Sequence, residues 1–359
     1  MRIGRTLMEL ATEIQRQAET KRDFVAPTQD LAVEFNEPAD GDDHVALHMT
    51  VGALGRFRVT DVAQQQMADR LQIPRTFYNR IYADHPGLLT HTVNHLFREA
   101  PKTQMLRTLD GRVRAYLSDR YRPLDNDVVA ETVLPIMAGN SAWDIASCEI
   151  TDTRLYIKAL YPKVAGEVRV GDVVQGGVVI SNSEVGFGAV KVEPLVFRLA
   201  CRNGMIMADQ GVRRMHLGAG TGGDGGAREF WHDDTKRASD QATLMQIRDT
   251  VAAVTQQGAF DKMLETFRAA AGRAIPAGSD IPALVEVTSR RLDLQEGERK
   301  GVLDHLVRGG DLTQWGLANA VTRFSQDVDS YDRATELERL GSTVVNWSGG
   351  DWALAVGAN

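Results

Sequence analysis

Between Gln104 and Met207 apolar and polar residues alternate with a period of two in run after run, and Asp110-Gly111 interrupts one of those runs. That pattern constrains the fold most. A two-residue Asp-Gly loop between alternating runs selects a type I′ hairpin, because both loop residues must take positive φ and these two do so at little cost. Closed on that turn, the hairpin pairs Leu109 with Arg112, Arg107 with Arg114 and Met105 with Tyr116. Arg107, Arg112, Arg114 and Tyr116 then share one face. Val113, Ala115 and Leu117, with Leu106 across from them, supply the core-facing side. The run from Thr153 to Ala159 repeats the arrangement, with Arg154, Tyr156 and Lys158 on one side and Leu155, Ile157 and Ala159 on the other. A third run, Val196 to Arg202, adds Arg198 and Arg202. One helix, from about Val128 to Ala138, interrupts the strands, and Asp125, Asn126 or Asp127 can cap it.

Around this centre the periodicities change. Leu7, Leu10, Ile14 and Ala18 stand at helical spacing, so residues 1–25 read as an N-terminal helix or arm. Strands are expected at Leu31 to Phe35, His44 to Met49 and Gly55 to Thr60, then a helix near Val62 to Leu71 and another opening at Pro74. Residues 218–226 are mostly glycine, a composition that packs poorly and marks a linker. Beyond it Leu244, Ile247, Val251 and Val254, and then Phe260, Leu264 and Phe267, form helical stripes. The expectation is an α+β protein: an antiparallel sheet with helices on one face over residues 26–217, followed by a mostly helical subdomain over 227–359.

The chemistry-bearing patterns are incomplete. Gly218-Ala219-Gly220-Thr221-Gly222-Gly223 matches G-x-G-x-x-G but lacks the following strand of a dinucleotide fold, so a linker explains it better. His91 and His95 stand four apart without the glutamate of H-E-x-x-H. Asp119, Asp125, Asp127 and Glu131 form an oxygen-ligand set that suits a hard cation, but helix capping accounts for most of it. Cys201 lies between Arg198 and Arg202, yet strand parity directs its thiol to the core with Phe197 and Leu199. No metal, no cofactor and no catalytic residue is expected, and a non-enzymatic role is favoured over an enzymatic one.

With 359 residues, 43% hydrophobic and 25% charged, the chain can bury a large core, and its net charge of −7 excludes a generally cationic protein. Any nucleic-acid contact must therefore be local. Two cysteines are too few for a disulfide framework or a four-cysteine zinc site. The opening residues lack a signal-peptide pattern and no segment reaches eighteen apolar residues in a row, so a cytoplasmic protein with no membrane partner is expected. A homo-oligomer is compatible with all of this.

The segment from Arg112 through Tyr116, Asp119, Tyr121 and Pro123 to Asn126 resembles the best-marked stretch of the phage and plasmid protein family called domain of unknown function 932. Leu71-Gln72-Ile73-Pro74 with Phe77-Tyr78, the run from Ser181-Asn182-Ser183-Glu184 to Arg202-Asn203-Gly204-Met205, and Trp315-Gly316-Leu317 are similar too. The resemblance implies a mobile-element setting and carries no reaction and no catalytic residue. The functional expectation comes from the residues themselves. Arg107, Arg112, Arg114, Tyr116, Arg154, Tyr156, Lys158, Arg198 and Arg202 would form one basic, aromatic sheet face for single-stranded nucleic acid, as in annealing or recombination proteins. The alternatives are a solvated sheet face, a metal-dependent nuclease built on Asp119, Asp125, Asp127 and Glu131, and a protein-binding antirestriction module.

Overall fold

A computed structural model describes residues 1–36, 46–188, 190–208, 212–214 and 233–357, with the side chains of 212–214 and 233–237 left aside. The expected linker at 218–226 lies outside the described residues. The chain is α+β, with two mostly antiparallel sheets and a helical C-terminal region.

Helix α1 (Leu7–Thr20) opens on a capping box in which Thr6 and Glu9 satisfy each other's end of the first turn. It is not a free arm: Leu10 is fully buried in a core with Val129 and Val133. Strands β1 (Arg22–Pro27), β2 (Leu31–Phe35), β3 (Leu47–Val51) and β4 (Gly55–Val59) follow, the last three close to the positions their alternation predicts and β1 where no strand is expected. Then come α2 (Asp61–Arg70), α3 (Arg75–Asp84) and α4 (Pro86–Glu99), and the hairpin β5 (Thr103–Leu109) and β6 (Arg112–Ser118). The first sheet runs β1-β5-β6-β4-β3-β2, and its β4–β6 pair is parallel. The three helices cover one face. Tyr78, from the Phe77-Tyr78 motif, is buried there and donates to Gln64 Oε1 at 3.2 Å.

Helix α5 (Asn126–Ala138) leads to the second sheet, β7 (Asp144–Ile150), β8 (Leu155–Glu167), β9 (Val173–Asn182), β10 (Val190–Arg198) and β11 (Asn203–Ile206), in the order β11-β10-β9-β8-β7 with β12 (Val212–Arg214) also on β10. The remaining helices are α6 (Asp233–Ala253), α7 (Gln257–Gly272), α8 (Ile281–Leu292), α9 (Glu296–Gly309), α10 (Gln314–Phe324), α11 (Tyr331–Val345) and α12 (Gly349–Ala355). They share a core with the second sheet: Val164, Val174, Val196 and Met205 pack with Phe260, Phe267, Trp315 and Leu337. The region expected to form one sheet domain thus holds two sheets, and the second is closed on one side by helices far downstream.

Trp315-Gly316-Leu317 sits where this closure is tightest. Thr313 caps α10, Trp315 stacks on Phe267 with centroids 5.1 Å apart, and its Nε1 donates to Asp172 Oδ2 at 2.9 Å. A Cβ on Gly316 would lie 1.7 Å from the Asp311 carbonyl oxygen, a backbone atom that no rotamer can move. Gly316→Ala is therefore expected to lose about 1–3 kcal/mol or more in urea unfolding. Gly297→Ala, in open space within α9, serves as the control and should be neutral or slightly stabilising. Equal stability of the two variants would refute the packing argument.

Candidate functional site

The hairpin turn forms as the sequence predicts: Asp110 and Gly111 have φ of 52° and 72°, and Leu109 faces Arg112. One step further the register changes. Thr108 faces Val113 but Arg107 faces Ala115, so Arg114 is an extra residue in β6, a β-bulge. This corrects the expected pairing of Arg107 with Arg114 and of Met105 with Tyr116, because every residue beyond the bulge changes face. Tyr116 turns into the helix-covered core, 1% exposed and stacked on Phe97, whereas Ala115 and Leu117 point the other way, against Tyr121 and Val185.

Arg107 follows Ala115 into that second interior and is fully buried. Its Nε donates to Asp23 Oδ1 at 2.9 Å, Nη2 to Asp125 Oδ1 at 2.8 Å and Nη1 to the Glu184 carbonyl at 2.7 Å. Asp125 is the N-cap of α5 and also meets Lys21 Nζ at 2.9 Å. Burial alone would raise the Asp125 carboxyl, but Arg107 and Lys21 outweigh it and hold the group below its ordinary value. Glu184, 3% exposed, accepts from Arg114 Nη1 at 2.6 Å and from the Asn126 backbone N–H at 3.0 Å. Asn182 Nδ2 donates to the Leu124 carbonyl at 2.7 Å and to Asn126 Oδ1 at 2.9 Å. The stretches Arg112–Asn126 and Ser181–Glu184 are therefore two halves of one buried polar joint between the sheets.

Beside this joint lies a cleft of about 260 Å³. Its walls are Arg5 and Arg16 from the N-terminal segment, Asp110, Arg112 and Arg114 from the hairpin, residues Thr151 to Arg154 before β8, and Glu184. Three residues of the expected basic face meet here: Arg112, Arg114 and Arg154. Arg5 pairs with Glu149, and Arg16 pairs with Glu13 at 2.8 Å and Asp110 at 2.9 Å. Arg112 is exposed and has no carboxylate within ion-pair distance among the described residues, and Arg154 donates to the Phe187 carbonyl. Arg114 spends Nη1 on Glu184, while its Nε and Nη2 are buried and meet no acceptor among the described residues. A buried charged donor without an acceptor costs about 1–3 kcal/mol or more, so this edge is an energetic debt within the fold. Arg5 and Arg16 were not legible as part of a site, because α1 shows only its own periodicity and nothing of where it docks.

The other six expected residues are not brought to the cleft. Tyr156 and Lys158 do lie on the side of β8 opposite Leu155, Ile157 and Ala159, but α11 covers that side. Lys158, fully buried, donates to Glu338 Oε2 at 2.7 Å and sits 4.5 Å from the centre of the Tyr331 ring, and Tyr156 packs on the same ring. Burial pushes the Lys158 ammonium below its ordinary value, with Glu338 working against it. Arg198 ends β10 in a two-bond contact with Asp172, and Arg202 is exposed in the turn that follows, with φ of 53°. A single basic face across three strands is thus absent: β6 belongs to the first sheet and β8 and β10 to the second, and Arg107, Tyr116, Tyr156 and Lys158 are core.

The remaining candidates are placed as follows. Asp119 and Glu131 are exposed and Asp125 is engaged by two cations, and among the described residues no group of three or more His, Cys, Asp or Glu is arranged to hold a metal. His91 and His95 stack on the exposed side of α4, where His95 meets Glu99 at 3.2 Å. Cys201 lies beyond the end of β10, half-buried and 3.5 Å from Arg198 Nη1, rather than in the core. No helix among the described residues is long and apolar enough to cross a membrane.

No curated protein and no solved structure matches the chain. A family model does, over residues 115–343, a span that takes in the joint from its bulged strand, the second sheet and most of the C-terminal helices. The chain belongs to the family described as domain of unknown function (DUF932).

Proposed function

We propose that the protein holds single-stranded nucleic acid by its phosphates in the cleft between the two sheets. The observation that carries the reading is the convergence of Arg112 and Arg114, from β6, with Arg154, from the turn before β8, the charge of Arg112 and Arg154 being met by no carboxylate contact among the described residues. Cations gathered against one another repel, and a phosphate between them removes the repulsion. Among the described residues no aromatic ring lines the cleft, so contact is with phosphate and sugar and tolerates any base.

Each phosphate contact releases a condensed counterion, which gives log affinity a salt slope of about 0.7 per contact on single strands. Arg112→Ala and Arg154→Ala should each flatten the slope by about that amount in salt-titrated fluorescence anisotropy with a labelled oligonucleotide. Lys300→Ala, on the exposed face of α9 and outside the cleft lining, should leave it unchanged. The reading fails if the wild type does not bind at low salt, or if both cleft variants keep the wild-type slope.

A further inference from the structure

The shape of the cleft and the state of Arg114 say more about which phosphate it takes. The inference rests on the nucleic-acid reading above and deepens it. Arg114 is nine-tenths buried, and its end-on nitrogen Nη1 is fixed by Glu184, itself 3% exposed. The two nitrogens left over, Nε and Nη2, carry parallel N–H bonds along one edge of the guanidinium, the fork that grips two oxygens of one oxyanion. Glu184 is in turn held by the Asn126 backbone N–H, and Arg107 holds the Glu184 carbonyl, so the fork cannot easily swing to another partner.

At about 260 Å³ the cleft is smaller than the roughly 300–1,000 Å³ of ordinary small-molecule sites, so it suits a terminal group better than a length of polymer. Two more cations, Arg112 and Arg154, stand on the same walls. A phosphate within a strand offers one negative charge and two free oxygens, and its neighbours on both sides must also be accommodated. A terminal phosphate offers up to two charges and three free oxygens and extends from one side only. We infer that the cleft recognises the terminal phosphate of a nucleic-acid strand, gripped by Nε and Nη2 of Arg114 and neutralised further by Arg112 and Arg154.

The test compares oligonucleotides of one sequence that end in a 5′-phosphate, a 3′-phosphate or a hydroxyl at both ends, by anisotropy at fixed salt. A phosphate-ended strand, of either polarity, should bind at least about tenfold more tightly than the hydroxyl-ended one, the worth of one charge-assisted hydrogen bond. Arg114→Lys keeps a cation beside Glu184 but loses the fork, and should abolish that preference, so that phosphate-ended and hydroxyl-ended strands bind alike. Where Arg114→Lys does not fold, phenyl phosphate is titrated against the wild type instead. It should displace the phosphate-ended strand, and failure to do so would overturn end recognition. Equal affinity for all three strands, with the slopes of Arg112→Ala and Arg154→Ala still reduced, would overturn end recognition and leave nucleic-acid binding standing. Failure of every strand to bind would overturn both, and a preference that survives in Arg114→Lys would remove Arg114 from the assignment.

Discussion

Glu338→Ala should destabilise the protein by about 3–5 kcal/mol, the range for removing one partner of a buried ion pair. Lys158 and Glu338 are both fully buried, and no solvent reaches the ammonium to replace the lost carboxylate. The Tyr331 ring under Lys158 remains, but its quadrupole is a weaker partner than a carboxylate. The variant should also carry a pH signature. Burial already lowers the Lys158 ammonium below its ordinary value, and Glu338 is what opposes the fall. Without Glu338 the folded-state value drops further, so the unfolded chain binds the extra proton over a wider range. Stability of the variant then rises with pH through that range and levels off above the unfolded value, more steeply than in the wild type. Lys158→Met with Glu338→Leu, which removes both charges and keeps the volume, should recover most of the loss. Urea unfolding at neutral and alkaline pH reads all three. A Glu338→Ala midpoint within error of the wild type would show that the pair is not closed to water.

Arg107→Ala is expected to cost about 3 kcal/mol, the lower end of the buried-pair range, because its partners Asp23 and Asp125 are 34% and 26% exposed and keep some solvation. The Glu184 carbonyl is the third acceptor left unpaired. Reading the hairpin without its bulge leads to the opposite expectation, in which truncating Arg107 removes a surface charge at no cost. In the wild type the folded carboxyl of Asp125 lies below its unfolded value of 3.8, so its contribution is complete above that pH and is lost as pH falls through the folded value. Taking away Arg107 raises the folded value toward the unfolded one and flattens this acid arm. Arg107→Lys, with one charged group for three acceptors, should fall between. Unfolding at pH 7 and in the acid range decides the matter, since an unchanged acid arm in Arg107→Ala would mean that Lys21 alone sets the Asp125 carboxyl.

Local chemistry was legible. The Asp110-Gly111 turn, the strand Leu31–Phe35 and the start of α5 at Asp125 all come from signals contained in a few adjacent residues. Two kinds of information were not contained there. One is the bulge: nothing in Arg112-Val113-Arg114-Ala115 marks Arg114 as the residue to be looped out, because both registers satisfy the alternation, and the choice is made by where Arg107 finds its acceptors. The other is cover. The polar side of β8 alternates as an exposed strand would, but α11, about 180 positions away in the chain, brings Glu338 and Tyr331 onto it. The cleft was half legible for the same reasons, since strand parity selected Arg112, Arg114 and Arg154, while Arg5 and Arg16 enter through the docking of α1.

The family match opens at Ala115, inside β6, one residue past the bulge. Both neighbours of that strand, β5 and β4, lie upstream of it. The matched span alone holds that strand with two unsatisfied sides, and such a strand invites pairing with any other chain it meets. In this chain β5 with Arg107 closes one side and β4 the other, so residues upstream of the match supply the guanidinium that ties Asp125 and Glu184 together.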